Sequence, residues 1–266
     1  MTSLNQTRFK NKLKNTPLLG VLLKYIYRKM TYVKPVYFDK PSVWIGQILT
    51  SNKLNIVQIG SNDGKHGDPL FELIQKNKNW KVLFVEPVPY LFDRLKSNYG
   101  VDSRFTFENT AINDGSKQIF YSVNQKAKIH IPNLPAWYDQ LNSFNKENII
   151  KHLDGVLEPY IEETEINGLT LDCLLKNNKV EILDLLHIDT EGHDWKILSQ
   201  LDLERYRPSI ILFEYRHLTA SEKKESIIFL KPKYTIFKLG GDLICMNTDL
   251  IKIEQFRKEL QGEEIT

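Results

Sequence analysis

From residue 55 onward, short apolar runs alternate with stretches of helical period, and this alternation most narrows what the chain can fold into. "NIVQIG", "WKVLFVEP", "RFTFENTAI", "ILDLLHID" and "SIILFEY" are mostly apolar and short, as buried strands are. Between them "DPLFELIQKNKN", "VPYLFDRLKSNYG", "LTLDCLLKNN" and "DWKILSQLDLERY" space their apolar residues as helices do. Strands apolar on both faces and separated by helices predict a mostly parallel sheet covered on both sides. After a helix near "SEKKESIIFL", the runs "YTIFKLG" and "DLICMNT" meet through Gly240, Gly241 and Asp242 as an antiparallel hairpin. The expected fold is α/β: a doubly wound, Rossmann-like sheet of seven strands, mostly parallel, ending in a hairpin.

Two segments break the pattern. Residues 119–168 hold prolines, aromatics and polar residues without a sustained period, and read as an insertion serving as a lid or acceptor-binding segment. Residues 1–50 read as a separate basic, helical extension before a main domain over 51–266. Residues 1–40 carry nine Lys or Arg against the single acid Asp39, so with a net charge of +3 the rest of the chain is acidic on balance. An acidic body argues against nucleic acid as a partner. Within the extension, "TPLLGVLLKYIYRKM" (residues 16–30) puts Leu18, Leu19, Leu22, Leu23, Ile26 and Met30 on one helical face and Lys24, Arg28 and Lys29 on the other. Such a helix can lie on an anionic membrane surface, dock on a partner, or pack on its own domain. No run approaches membrane-spanning length, no signal-peptide cleavage site follows the apolar start, and Cys173 and Cys245 read as buried thiols. These features predict a cytoplasmic protein, peripheral at most to the inner face of the membrane.

Open α/β sheets bind ligands beyond the carboxyl ends of their strands. The first strand ends in Gly60, Ser61, Asn62, Asp63 and Gly64, a turn that bares backbone N–H groups but is not the G-x-G-x-x-G of a dinucleotide site. A NAD-type oxidoreductase is therefore disfavoured. The second strand ends in Glu86 and Pro87, where an acid can accept both hydroxyl hydrogens of a ribose. Asn109, Ala111, Ile112 and Asp114 follow the third strand and suit an adenine ring. The fourth ends in "LLHIDTEGHDW", with Asp189, Glu191, His193 and Asp194, and the fifth in "FEYRH", with Glu214, Arg216 and His217. Carboxylates and imidazoles at one sheet edge serve as general bases or as ligands for a hard divalent ion. Asp194 reads as a helix N-terminal cap and His187 as a hydrogen-bonded core histidine; His66, His130 and His152 read similarly or more blandly.

The blocks "VQIGSNDGKHGDP", "VEPVPYLFDRL", "ENTAIND" and above all "LLHIDTEGHDWKIL" resemble the signature of the FkbM-type methyltransferases, over roughly residues 55–215. The resemblance implies a class I, S-adenosylmethionine-dependent fold and O-methylation, often of sugars or sugar-bearing metabolites. It implies that Gly60, Ser61, Asn62, Asp63 and Gly64 wrap the methionine portion and ribose, that Glu86 holds the ribose hydroxyls, and that Asn109, Ala111 and Ile112 border the adenine. Asp189 would reach towards the methionine amine or the reacting centre. Many class I enzymes carry an acid two residues before the first glycine; here Gln58 stands there, able to accept a hydrogen bond but not to neutralise an ammonium.

A sulfonium methyl is already activated, so the demand falls on aligning and deprotonating a weakly acidic hydroxyl. His193 is the expected base, oriented by Asp189 or Glu191. In the rival arrangement Asp189, Glu214 and His217 hold Mg²⁺ or Mn²⁺, and the ion lowers the acceptor's pKa. The expected partner is a sugar in a glycan, glycolipid or glycosylated metabolite, with Trp137, Tyr138 and Phe144 as aromatic faces for it. The alternatives are a non-sugar acceptor, or a nucleoside- or sugar-binding protein without catalysis.

Overall fold

The computed structural model describes residues 40–51, 53–256 and 262–265. The basic helix expected over 16–30 lies outside the described residues, and no described helix is long and apolar enough to cross a membrane.

Strand β1 (Asn55–Ile59) is central because Ile56, Val57 and Ile59 need cover on both faces, and each is at most 2% exposed. It pairs in parallel with β2 (Lys81–Val85) on one side and β6 (Leu185–Ile188) on the other. Beyond β2 lies β3 (Phe105–Glu108), and beyond β6 lies β7 (Ile210–Glu214), all parallel. The hairpin of β8 (Tyr234–Leu239) and β9 (Asp242–Asn247) sets β9 antiparallel against β7. A two-residue strand, β10 (Glu263–Glu264), pairs with β8. The order β3-β2-β1-β6-β7-β9-β8-β10 is the doubly wound sheet with its closing hairpin, and it reverses direction of winding at β1 and β6. It has eight strands rather than seven, because "EE" is too short and polar to read as a strand.

A helix not singled out in the sequence, α1 (Pro41–Ile48), precedes β1, and the others follow the expected runs: α2 (Phe71–Lys76), α3 (Pro89–Tyr99), α6 (Leu171–Asn177), α7 (Asp194–Leu198) and α8 (Ala220–Leu230). Pro89 opens α3, where its missing N–H costs nothing. The Thr170 side chain accepts from Cys173 N to start α6, and Thr219 with Glu222 forms a reciprocal capping box on α8. One face of the sheet buries Val57, Leu186 and Phe213 under Leu174, Ile197 and Leu230; the other buries Ile56, Phe84 and Leu212 under Trp44, Ile74 and Leu95.

Trp44 of α1 is fully buried, its ring 4.9 Å from that of Phe237. The α1 helix is thus packed into the same compact unit as the sheet. The 119–168 insertion is more regular than its sequence implies. β4 (Lys117–Val123) and β5 (Ile161–Asn167) pair antiparallel, enclosing α4 (Ala127–His130) and α5 (Lys146–Ile150). β5 escaped notice because "IEETEIN" is mostly polar and exposed. The insertion has its own small core of Val123, Leu134, Tyr138, Leu141, Ile149 and Leu157. It is fastened to α3 by Arg94 Nη1 to Asp139 Oδ2 at 2.7 Å and by the Tyr90 hydroxyl donating to Val123 O at 2.8 Å. Cys245 is buried as expected, but Cys173 is exposed on the outer face of α6.

Candidate functional site

The turn after β1 is made by contact with the end of β6. Gly60 has φ 77°, and a Cβ on it would stand 1.8 Å from the carbonyl oxygen of Asp189, so only glycine fits. Asn62 takes the left-handed conformation (φ 49°) and donates its N–H to Glu86 Oε2 at 2.7 Å. The other oxygen of Glu86 accepts from Val88 N at 2.9 Å. Glu86 is thus held rigidly at the end of β2 with a free lone pair on each oxygen. Burial pushes its carboxyl up to about 7, against the pull of those two N–H groups.

A cleft enclosing about 450 Å³, including the part that merges with solvent, runs beyond the ends of β1, β2 and β6. Gly60, Asn62, Glu86 and Pro87 form one end; Thr110, Ala111, Ile112, Phe120 and Phe144 form an apolar wall; Asp189, Thr190 and Glu191 form the other end. An apolar slot beside a buried, cation-free carboxylate fits a nucleoside: the wall suits the base and Glu86 a diol.

Seven of the expected cofactor residues line this cleft: Gly60, Asn62, Glu86, Pro87, Ala111, Ile112 and Asp189. The other five shape it from behind. Gln58 is buried beside the Asp68 carboxyl, its Oε1 without a hydrogen-bond partner among the described residues. Ser61 Oγ donates to Gln58 O at 3.0 Å and accepts from Val85 N at 3.3 Å, tying β1 to β2. Asp63 accepts from Lys65 N and His66 N and stands 2.6 Å from His66 Nδ1, which closes the turn. A Cβ on Gly64 would come within 2.3 Å of Leu95, so this glycine lets the turn pack on α3. Asn109 is exposed and braces the Glu86 and Pro87 carbonyls from Nδ2, at 2.8 and 3.1 Å. Sequence reasoning missed Thr110, Phe120, Gln140, Asn142 and Thr190; Gln140 and Asn142 come from the insertion, which no strand-end rule reaches.

At the far end the chain folds Glu191 into a left-handed turn (φ 50°). Its carbonyl accepts from Ser143 Oγ at 2.9 Å and Asn148 Nδ2 at 2.7 Å, both from the insertion. Around it gather Glu214 and His217, from the end of β7, and His152, from the insertion. His217 Nε2 stands 3.4 Å from Glu191 Oε2 and 3.5 Å from Glu214 Oε1, and His152 Nε2 lies 3.9 Å from Glu191 Oε2. Burial raises the carboxyls of Asp189, Glu191 and Glu214, and the neighbouring carboxylates add to the rise for Glu191 and Glu214.

His193 stands apart from this cluster. It is 5% exposed, its ring packs 4.5 Å from Phe144, and no hydrogen bond joins it to Asp189 or Glu191 among the described residues. Burial depresses it to about 4, so it is neutral at neutral pH. The arrangement in which Asp189 or Glu191 orients His193 is not formed. Asp194 is structural, accepting from Thr190 Oγ1 at 3.1 Å and from Gly192 N and Glu214 N, each at 3.3 Å, and so joins the β6 turn to β7. His187 is in the core as expected, but its Nδ1 has no hydrogen-bond partner among the described residues.

The sequence model of the methyltransferase FkbM domain matches residues 58–244. No curated protein matches the chain. Among solved structures, the chain is similar to a methyltransferase FkbM from Methylobacillus flagellatus KT, at 13% identity and TM-score 0.48, over 78% of this chain and 47% of that one. The chain thus spans about half the length of that relative. It is also similar to M. capricolum TrmK, solved with the cofactor product S-adenosyl-homocysteine, at 14% identity and TM-score 0.40, over 80% and 72% of the two chains.

Proposed function

The chain belongs to the FkbM methyltransferase family, and on that premise we propose that it is an S-adenosylmethionine-dependent O-methyltransferase acting on a sugar hydroxyl in a glycan, glycolipid or glycosylated metabolite. The observation that carries the reading is one continuous cleft with the Glu86 carboxylate at one end and Asp189 with Glu191 at the other. Glu86 would accept the two ribose hydroxyls, and Ala111 and Ile112 would flank the adenine. Bound there, the cofactor supplies a methyl group on a positively charged sulfur. Gln58 offers no charge to its ammonium, and Asp189, an acid lining the cleft, takes that role or faces the acceptor.

In the transfer, a lone pair of the acceptor oxygen forms the new bond to the methyl carbon. The carbon–sulfur bond breaks with its electrons going to sulfur, which becomes a neutral thioether, and the hydroxyl proton passes to the carboxylate and imidazole cluster around Glu191. Side chains of the insertion position that cluster, since Ser143 and Asn148 hold the Glu191 carbonyl. A sugar acceptor is favoured by Trp137, whose ring is 42% exposed and lies 6.2 Å from that of His152, offering a flat face beside the cluster. A lipid-linked or membrane-adjacent acceptor would suit the basic amphipathic segment over 16–30.

The test is transfer of a ¹³C-labelled methyl group from S-adenosylmethionine to a panel of nucleotide sugars, glycolipids and phenolic or carboxylic small molecules. The carbon shift distinguishes an O-methyl on a sugar ring from other products. Labelling confined to sugars supports the reading. Labelling of the other acceptors moves the substrate class, and a protein that binds cofactor without any turnover is the non-catalytic binder.

A further inference from the structure

A sugar hydroxyl is too weak an acid to lose its proton readily at neutral pH, so this cluster's composition matters. Polar side-chain atoms converge here without hydrogen-bond partners. Glu191 Oε2, Glu214 Oε2 and His152 Nε2 are all buried and lack a hydrogen-bond partner among the described residues. The separations from His217 Nε2 to Glu191 and Glu214, 3.4 and 3.5 Å, and from His152 Nε2 to Glu191, 3.9 Å, exceed a hydrogen bond. They match the distance between two atoms that share one ion. Ligands each about 2.1 Å from a metal stand roughly 3 to 4 Å apart at its tetrahedral or octahedral angles. One ligand atom from each of His152, Glu191 and His217 lies within 4.8 Å of the others, and the same holds for Asp189, Glu191 and Glu214. Glu191 belongs to both groups, so the two adjoin, and Glu214 Oε1 also lies 3.5 Å from His217 Nε2.

No Lys or Arg pairs with Asp189, Glu191 or Glu214 in the described structure. The Arg216 guanidinium, packed beside Gly241, makes no hydrogen bond to them, but its charge favours the ionised forms of Asp189 and Glu191. Glu214 receives no such relief, and a buried carboxylate is costly unless paired, protonated or coordinated. Two of the ligands sit on a fixed backbone: Glu191 by the insertion's two hydrogen bonds and Glu214 by its N–H to Asp194.

We propose that His152, His217 and Glu191 bind a divalent transition-metal ion at the acceptor end of the cleft, with Glu214 as a fourth ligand. Its role rests on reading the cleft as the methyl-transfer site. Two imidazoles favour Zn²⁺, Mn²⁺ or Fe²⁺ over Mg²⁺, which prefers oxygen ligands and water. The set differs from the Asp189, Glu214 and His217 expected from the sequence, because His152 arrives from the insertion, far from the strand ends. An ion held by these residues beside the cleft would supply Lewis-acid chemistry, lowering the pKa of an acceptor hydroxyl bound to it. Asp189 then accepts the proton as the oxygen attacks the methyl carbon and sulfur leaves with the bonding pair.

The test uses the untagged full chain, stripped with a chelator and without cofactor. Zn²⁺, Mn²⁺ and Mg²⁺ are titrated by calorimetry into wild type, His152→Ala, His217→Ala and Glu191→Gln, with circular dichroism confirming that each variant is folded. The expected result is one equivalent of Zn²⁺ or Mn²⁺, at least about tenfold weaker in each variant, with Mg²⁺ weaker still. In wild type, Co²⁺ should give visible absorption bands of a nitrogen- and oxygen-ligated ion, a readout that survives a variant's failure to fold. No stoichiometric binding, or binding indifferent to both histidine changes, overturns the site. S-adenosylhomocysteine binding to the stripped protein, measured alongside, separates this failure from that of the cofactor reading.

Discussion

The α-carbon of Gly60 and the carbonyl of Asp189 are pressed so closely together that a methyl group on the first would lie 1.8 Å from the oxygen of the second. This contact lets the β1 turn and the β6 end form the floor of one cleft. Gly60→Ala also forces an L side chain onto φ 77°. We expect a loss of about 2–4 kcal/mol in unfolding free energy, from left-handed strain and overpacking. Cofactor binding should be lost as well, and urea denaturation and calorimetry measure the two effects.

Glu86 sets the pH dependence of cofactor binding. Its carboxyl, raised to about 7 by burial, must be ionised to accept two ribose hydroxyls. Affinity for S-adenosylhomocysteine should therefore rise between pH 6 and pH 8. Glu86→Gln keeps an acceptor but has no proton to lose. It should bind roughly tenfold or more weakly, with a flat pH profile by calorimetry.

The same raised groups make the cofactor-free protein less stable as pH rises. Glu86 and Asp194 hold their protons in the folded state above the pH at which the unfolded chain releases them. Their contribution is therefore full in acid and is lost as pH climbs through the folded values. For Glu86, moved from 4.5 to about 7, the limit is on the order of 3 kcal/mol. His187, His193 and His217, depressed by burial, act in the opposite sense. The measurement is therefore the difference between wild type and Glu86→Gln in urea unfolding, which should move against the wild type from pH 6 to pH 8.

Asn148 links the insertion to the reacting end. Its Nδ2 donates to the Glu191 carbonyl at 2.7 Å, which helps hold Glu191 at φ 50°. Asn148→Ala should cost about 1–2 kcal/mol of stability. Methyl transfer should fall while S-adenosylhomocysteine affinity changes little, because Glu86 and the apolar wall are untouched. Comparing turnover with calorimetry separates the two.

The sheet was legible because its strands are apolar on both faces, and the rule that ligands lie beyond strand ends led directly to Glu86, Asp189 and Glu191. Two things were not legible. Ser61, Asp63, Gly64 and Asn109 sit in the right turns, yet their side chains or missing side chains build the turns rather than face the cleft; loop composition does not reveal that orientation. His152, Asn142 and Gln140 reach the site from the insertion, whose polar strand β5 carries no alternation strong enough to announce itself. His193 shows the same limit in reverse: its place in a dense motif says nothing of the Phe144 ring that covers it.

The central claim is that the cleft ending on Glu86 holds the product of methyl transfer. Calorimetric titration of S-adenosylhomocysteine into wild type and Glu86→Gln tests it most directly. One-to-one micromolar binding to wild type, clearly weakened in the variant, is the predicted result. Absence of binding to a folded wild-type protein, or equal binding by both proteins, would contradict it.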